Sequence, residues 1–125
     1  YLKKIGSISI KRNKIAKENL GFFDEILKLI NTSNRPLIIF PQGTRLLPED
    51  RSPFKKGASR IYEELKIVCQ PIAINSGYTW PKKGLKKANS NLTISILKPI
   101  EAGLSKEVFL RKLENDIYSE LDVLN

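Results

Sequence analysis

An α/β domain, with a largely parallel or mixed β-sheet covered by helices, is the architecture to which this sequence points. Three observations carry that expectation. Apolar runs of strand length, such as PLIIF (36–40) and VCQPIAIN (68–75), alternate along the chain with segments whose apolar residues recur at helical spacing. The length of 125 residues fits one domain, which buries roughly two thirds of its unfolded surface. Hydrophobic residues make up 41% of the chain, enough to fold and not to stay disordered.

The elements follow in order. GSISIKR (6–12) alternates Ile8 and Ile10 with polar neighbours and predicts a short, half-buried strand. ENLGFFDEILKLIN (18–31) sets Leu20, Phe23, Ile26, Leu27 and Ile30 on one helical face, and Asn31, Asn34 and Pro36 end it. PLIIF (36–40) is apolar throughout, which predicts a strand buried on both faces. Residues 46–53 form a loop with two prolines. Ser52 is then a candidate cap and Pro53 a first helical residue for a helix that turns Ala58, Ile61 and Leu65 inward. VCQPIAIN (68–75) reads as another buried strand, 76–91 as a long polar loop, and LTISILKPI (92–100) as a strand that alternates at first. Ser105 caps a last helix with Leu110, Leu113, Ile117 and Leu121 on one stripe. No repeat or low-complexity tract interrupts this order.

Composition narrows the chemistry. The chain holds one cysteine and no histidine, so a disulfide framework is excluded and a zinc cluster lacks ligands. Cys69 lies in an apolar run and reads as a small core residue. No apolar stretch approaches the ~20 residues that span a bilayer. Net charge is +9, and residues 105–125 carry three basic against five acidic side chains, so the rest holds +11. Such a field attracts nucleic acid, anionic lipid or phosphorylated small molecules, or serves solubility alone.

The segment LIIFPQGTR (37–45) concentrates the functional signal. An apolar run stops at Pro41, and an amide, a glycine, a hydroxyl and a guanidinium follow. In an α/β sheet, ligands lie beyond the carboxyl ends of strands. Gln42 to Arg45 stand at such a place, as does Arg12. Gly43 allows a positive φ or a close approach of backbone to ligand. Thr44 offers a hydroxyl, and Arg45 a planar fork matched to phosphate oxygens. Downstream, FKKGAS (54–59) sets Lys55, Lys56 and Gly57 in the first turn of a helix, where amides and dipole favour an anion. Arg12, Arg45 and Lys56 are thus expected to converge on one phosphate.

With these blocks in view, the chain resembles the glycerolipid acyltransferase family, in particular the bacterial 1-acylglycerol-3-phosphate acyltransferases. The family block F-P-E-G-T-R is matched by FPQGTR at 40–45, and a following F-K-K-G-A by FKKGA at 54–58. G-x-x-F-I-x-R is matched by Gly6, Ile10 and Arg12, and a later proline-bearing strand by VCQPIAIN. The resemblance covers residues 6 to about 100. It implies a glycerol-3-phosphate acyltransferase-like fold and transfer of a fatty acyl group to the sn-2 hydroxyl of 1-acylglycerol 3-phosphate (lysophosphatidic acid), giving phosphatidic acid. The donor would be acyl-ACP or acyl-CoA, with no metal and no cofactor. Arg12 and Arg45 would grip the phosphate, with Gly6, Lys56 and Gly57 in the same site, while Gln42, Gly43 and Thr44 shape its polar wall. Two departures stand out. Gln42 replaces the family's acid, keeping an acceptor oxygen and losing a charge that a phosphate does not need. The block H-x-x-x-x-D, whose His would be the general base and whose Asp would orient it, is absent. The resemblance therefore implies that residues 1–125 are the C-terminal part of one acyltransferase domain, incomplete at its N-terminus and holding no catalytic residue. It implies work at the cytoplasmic face of a bacterial inner membrane, attached peripherally or through an N-terminal segment outside this chain.

The loop GYTWPKKGLKK sets Tyr78 and Trp80 beside Lys82, Lys83, Lys86 and Lys87 with no acid among them. Rings at headgroup level and cations on anionic lipid suit a membrane surface; an ordinary solvated loop has the same composition. Two rival readings of the whole remain: a basic nucleic-acid-binding module, and an acyltransferase remnant that has lost its catalytic block. The first accounts for the charge but not for FPQGTR and FKKGA in series.

Overall fold

The computed structural model describes residues 20–81, 83–86 and 88–125. It comprises two compact units, Tyr1–Ile38 and Ile39–Asn125. The strand expected at 6–12, with Gly6 and Arg12, lies outside the described residues.

In the first unit, helix α1 spans Leu20–Ser33, within two residues of the predicted 18–31. Its stripe is narrower than predicted: Ile26 is buried, Phe23 and Ile30 are half-buried, and Leu27 is exposed. Near its end the Thr32 hydroxyl donates to the Lys28 carbonyl at 2.7 Å, and Ser33 donates to Leu29. Asn34 then takes φ +51°, a conformation asparagine tolerates, and Pro36 prevents resumption. The expected strand at 36–40 is not formed. Residues 34–40 are irregular, and Ile38 and Phe40 are 74% and 77% exposed. A strand exists through its ladder, and this segment has no ladder partner among the described residues.

The second unit contains α2 (Gly57–Leu65), β1 (Ile72–Ile74), β2 (Ile94–Ile96) and α3 (Lys106–Leu124). The architecture is mixed helix and strand, as expected, and among the described residues the one strand pair is antiparallel and not parallel. The chain runs from β1 to β2 without a crossover helix, and such a return pairs antiparallel. Ile72 faces Ile96, Ala73 faces Ser95 and Ile74 faces Ile94. The ladder extends to Cys69 and Ile100, which exchange backbone hydrogen bonds at 2.9 and 2.8 Å. Pro71 and Pro99, which lack a donor, keep the regular strands short. The strand expected to be buried at 68–75 is buried on one face only. Ala73 is fully buried, and the Ser95 hydroxyl donates to Glu120 of α3 at 2.7 Å. Ile72, Ile74, Ile94 and Ile96, on the opposite face, remain 41–70% exposed.

Helix α3 starts where Ser105 predicted: its hydroxyl accepts the Val108 amide at 3.3 Å. Its core face is Phe109, Leu113, Ile117 and Tyr118, with Leu110 and Leu121 packed alongside. Phe109 stacks on Tyr62 of α2 with centroids 3.8 Å apart and planes 4° apart, and Tyr118 meets Phe54 edge-on at 5.0 Å. These rings hold α2, α3 and the segment before α2 together; burying each contributes roughly 1.5–3 kcal/mol. The Tyr62 hydroxyl donates to the Glu101 carbonyl and accepts the Leu104 amide, so its polar end is satisfied too.

The expected start of α2 at Pro53 is corrected by four residues. The Phe54 amide is taken by the Glu114 carboxylate at 2.8 Å and the Lys55 amide by the Pro41 carbonyl at 2.8 Å. Ser52, the expected cap, donates its hydroxyl and amide to Asp50 instead. With these donors engaged elsewhere, the helix begins at Gly57. Its inward face is Ala58, Ser59, Tyr62 and Leu65; Ile61, expected inward, is half-buried. Lys66 closes the helix at φ +51°.

Candidate functional site

The candidate site is built from two short segments of the second unit, 40–45 and 54–57. The first is a tight turn. The Gly43 amide donates to the Phe40 carbonyl at 3.0 Å, with Pro41 at the second turn position, where its fixed φ is favourable. Gly43 has φ +73°, a value at which a side chain is strained. A Cβ there would also meet Lys55, with Cγ at 3.1 Å and Cε at 3.6 Å. The glycine thus serves two ends: it permits the backbone reversal, and it leaves room for the lysine stem lying over it.

The second segment is held from behind. Phe54 is buried in the core, and its amide is fixed by Glu114 of α3. Just before it, Arg51 donates to the Pro48 carbonyl at 2.6 Å, pairs with Asp122 at 2.6 Å and lies 5.1 Å over the Tyr118 ring. The Tyr118 hydroxyl donates to the Ser52 carbonyl at 2.6 Å. Ser52 in turn holds the Asp50 carboxyl below its usual pKa by donating hydroxyl and amide to it. From this support the Lys55 amide reaches the Pro41 carbonyl. That bond joins the two segments, and it is the contact that sequence spacing alone did not give.

Several predicted site residues come together on this frame. Gln42 is half-buried in the turn; Gly43, Thr44 and Arg45 are exposed beyond it. Lys56 is exposed at the N-cap of α2, with no side-chain cap, and Gly57 opens the helix. Arg45 and Lys56 make no ion pair among the described residues. Gly6 and Arg12 lie outside the described residues; of the three residues expected to converge on one phosphate, Arg45 and Lys56 are exposed on two segments tied by the Lys55–Pro41 bond. The sequence places both lysines of FKKGA at the helix start and selects Lys56 for the phosphate, because the two look alike until Lys55 is seen to cover the turn.

Chemically, the arrangement offers a guanidinium, ammoniums, a hydroxyl and the amides of a helix start, all suited to an anion. It can bind and orient. It has no imidazole to take a proton, since the chain has no histidine, and Cys69, whose thiol pKa is raised by burial, is half-buried against the core. Among the described residues no cluster of His, Cys, Asp or Glu could hold a metal ion.

The basic loop is separate from this turn. The Thr79 and Trp80 amides both donate to the Ser76 carbonyl, at 3.1 and 2.7 Å, which turns the chain outward. Tyr78 and Trp80 are exposed, and the Lys86 ammonium sits 3.7 Å from the Trp80 ring centroid. Lys83 and Lys86 are exposed, while Lys82 and Lys87 lie outside the described residues. Leu85, between the lysine pairs, is 91% exposed. It drew no notice in the sequence, where a single leucine in a polar loop carries no periodic signal. Among the described residues no helix is long and apolar enough to cross a membrane.

Comparison with known proteins adds a further finding. The acyltransferase family model matches residues 1–75. A 1-acyl-sn-glycerol-3-phosphate acyltransferase of Helicobacter pylori is 32% identical over 89 residues, which are 70% of this chain and 38% of that protein. Proteins of the same name from Saccharomyces cerevisiae and Cocos nucifera are each 30% identical, over 76% and 62% of this chain and 32% and 25% of their own lengths. The chain thus spans between a quarter and two fifths of the length of these relatives. No solved structure matches it.

Proposed function

The chain belongs to the acyltransferase family, and from that premise we propose that it forms the acceptor-holding part of an enzyme that acylates 1-acylglycerol 3-phosphate at its sn-2 hydroxyl, giving phosphatidic acid. The observation that carries this reading is the bond from the Lys55 amide to the Pro41 carbonyl. It brings FPQGTR and FKKGA, 14 residues apart in register, onto one anion-friendly surface. A phosphomonoester is the anion that a guanidinium fork, neighbouring ammoniums and exposed amides suit best.

In this reading Arg45 grips the phosphate, with Thr44, the Gly43 backbone and Gln42 completing the polar wall and Lys56 and Gly57 contributing from the start of α2. Gln42, uncharged, accepts and donates without repelling a dianion. Fixing the phosphate fixes the acceptor hydroxyl relative to the acyl thioester, from acyl-ACP or acyl-CoA, and makes attack effectively intramolecular. The hydroxyl proton must leave to a base. With no histidine in residues 1–125, that base is supplied by another part of the enzyme. The acceptor is a lipid, so the same proposal places the protein at an anionic membrane surface through Tyr78, Trp80, Lys82, Lys83, Lys86 and Lys87; the exposed rings and the acid-free run of lysines support this.

The test is acyl transfer by the full-length protein, with a long-chain acyl thioester and 1-acylglycerol 3-phosphate. Phosphatidic acid should form, at least ~10²-fold faster than with residues 1–125 alone, which lack the base. Comparable turnover by residues 1–125 would contradict the division of labour. Tighter binding of RNA than of lysophospholipid, lost on neutralising the lysines of 82–87, would favour a nucleic-acid module.

A further inference from the structure

We infer that Lys55, and not its neighbour Lys56, is the second cation of the phosphate grip; the inference rests on the acceptor site proposed above. Three observations single it out. Its amide is fixed to the Pro41 carbonyl at 2.8 Å, so its Cα cannot drift from the turn. Its stem lies over Gly43, with Cγ, Cε and Cδ at 3.1, 3.6 and 3.9 Å from where a Cβ would stand. The stem is therefore laid along the turn from its base nearly to its ammonium. The residue is exposed, and its ammonium makes no ion pair among the described residues. A lysine whose methylenes pack on backbone while its head stays in solvent presents a positioned charge, and loses less freedom on meeting an anion than a free side chain does. Lys56 differs. Its carbonyl accepts the Ser59 hydroxyl at 2.7 Å and the Arg60 amide at 3.1 Å, which commits its backbone to the helix, and the three atoms nearest to a Cβ on Gly43 all belong to Lys55.

This arrangement gives the glycine of FPQGTR and the first lysine of FKKGA a shared purpose. The glycine has no side chain so that the lysine can cross it. The lysine then holds its positive charge beside the glycine that immediately precedes Thr44 and Arg45. Arg45 supplies a directional fork and Lys55 a point charge, and the two together match a phosphomonoester dianion better than either alone.

The experiment uses the full-length enzyme and compares Lys55→Met, Lys55→Arg, Lys56→Met and Arg45→Ala. Methionine keeps most of the stem over Gly43 and removes only the charge. Two acceptors are assayed, 1-acylglycerol 3-phosphate and the same 1-acylglycerol without phosphate, together with the inhibition constant of glycerol 3-phosphate. Lys55→Met should raise KM for the phosphate acceptor, and the inhibition constant of glycerol 3-phosphate, by about 10-fold or more. It should leave the phosphate-free acceptor unchanged, Lys55→Arg should recover most of the loss, and Lys56→Met should do less. Equal losses on both acceptors with Lys55→Met would overturn the inference and make the stem a mere cover for the glycine. A larger phosphate-selective loss from Lys56→Met would overturn it as well. The Arg45→Ala arm separates the two levels. If Arg45→Ala is phosphate-selective and Lys55→Met is not, only the inference about Lys55 falls. If neither is, the acceptor site itself falls.

Discussion

Replacing Gly43 with alanine probes the turn and the packing of Lys55 at once, and its cost can be worked from the structure. At φ +73° an alanine pays about 1–2 kcal/mol relative to glycine. The new Cβ then stands 3.1 Å from Lys55 Cγ. That atom is near the base of its side chain, and the Lys55 amide is tied to Pro41, so relief requires moving χ1 away from its well, at about 0.5–1.5 kcal/mol. The total is about 1.5–3.5 kcal/mol of lost stability. Gly57 is the control. It opens α2 without a positive φ, and a Cβ there meets nothing within 4 Å. Gly57→Ala should be stabilising by about 0.4–1 kcal/mol, through a less free unfolded chain. Both variants are measured by urea unfolding of the same protein, at equal m-value. The two substitutions are chemically identical and should move the midpoint in opposite directions. A Gly43→Ala variant within about 0.5 kcal/mol of wild type would show that the reversal at 40–43 and the lysine across it are not present in solution.

Other outcomes are expected elsewhere in the second unit. Glu114→Ala leaves the Phe54 amide without its acceptor and should cost about 1–3 kcal/mol by urea unfolding, lowering affinity for the phosphate acceptor in step as 54–57 loosens. Cys69, with its thiol pKa raised by burial, should react slowly with iodoacetamide at neutral pH and titrate above the ordinary thiol range. A folded-state pKa above the unfolded one means its contribution to stability is fully present below the unfolded value and is lost as pH rises through the folded one, so an alkaline melt of Cys69→Ala should lack that component. Changing Lys82, Lys83, Lys86 and Lys87 to glutamine should release the protein from anionic vesicles in a salt-dependent way, and co-sedimentation equal to wild type would refute the loop's role.

What the sequence conveyed, and what it did not, divides along physical lines. Ser105 and the centre of the α3 stripe, Leu113 and Ile117, were legible because caps and helical periodicity are local, while Phe109 and Tyr118 take the core places expected of Leu110 and Leu121; α1 was legible to within two residues. The start of α2 was not, because the amides of Phe54 and Lys55 are claimed by Glu114 and Pro41, partners 60 and 14 residues away. The apolar run at 36–40 predicted a buried strand, yet a ladder depends on neighbours that the run itself does not encode. Tyr62 was missed as a core residue because its ring finds Phe109 across two helices. At the site, the residue types were plain in FPQGTR and FKKGA, but the tie of the Lys55 amide to Pro41 and the path of its stem over Gly43 are tertiary contacts that spacing does not encode.

The most direct test of the central claim, that 40–45 with 54–57 holds the phosphate of the acceptor, is the effect of Arg45→Ala on kcat/KM for two acceptors in the full-length enzyme. Losing a charge-assisted contact of roughly 1.5–3 kcal/mol should lower the value for 1-acylglycerol 3-phosphate by about 10- to 150-fold. The value for the phosphate-free acceptor should stay within about twofold, and Arg45→Lys should not restore the whole loss, because a point charge does not replace the fork. Equal losses on the two acceptors would contradict the account and leave Arg45 a structural residue.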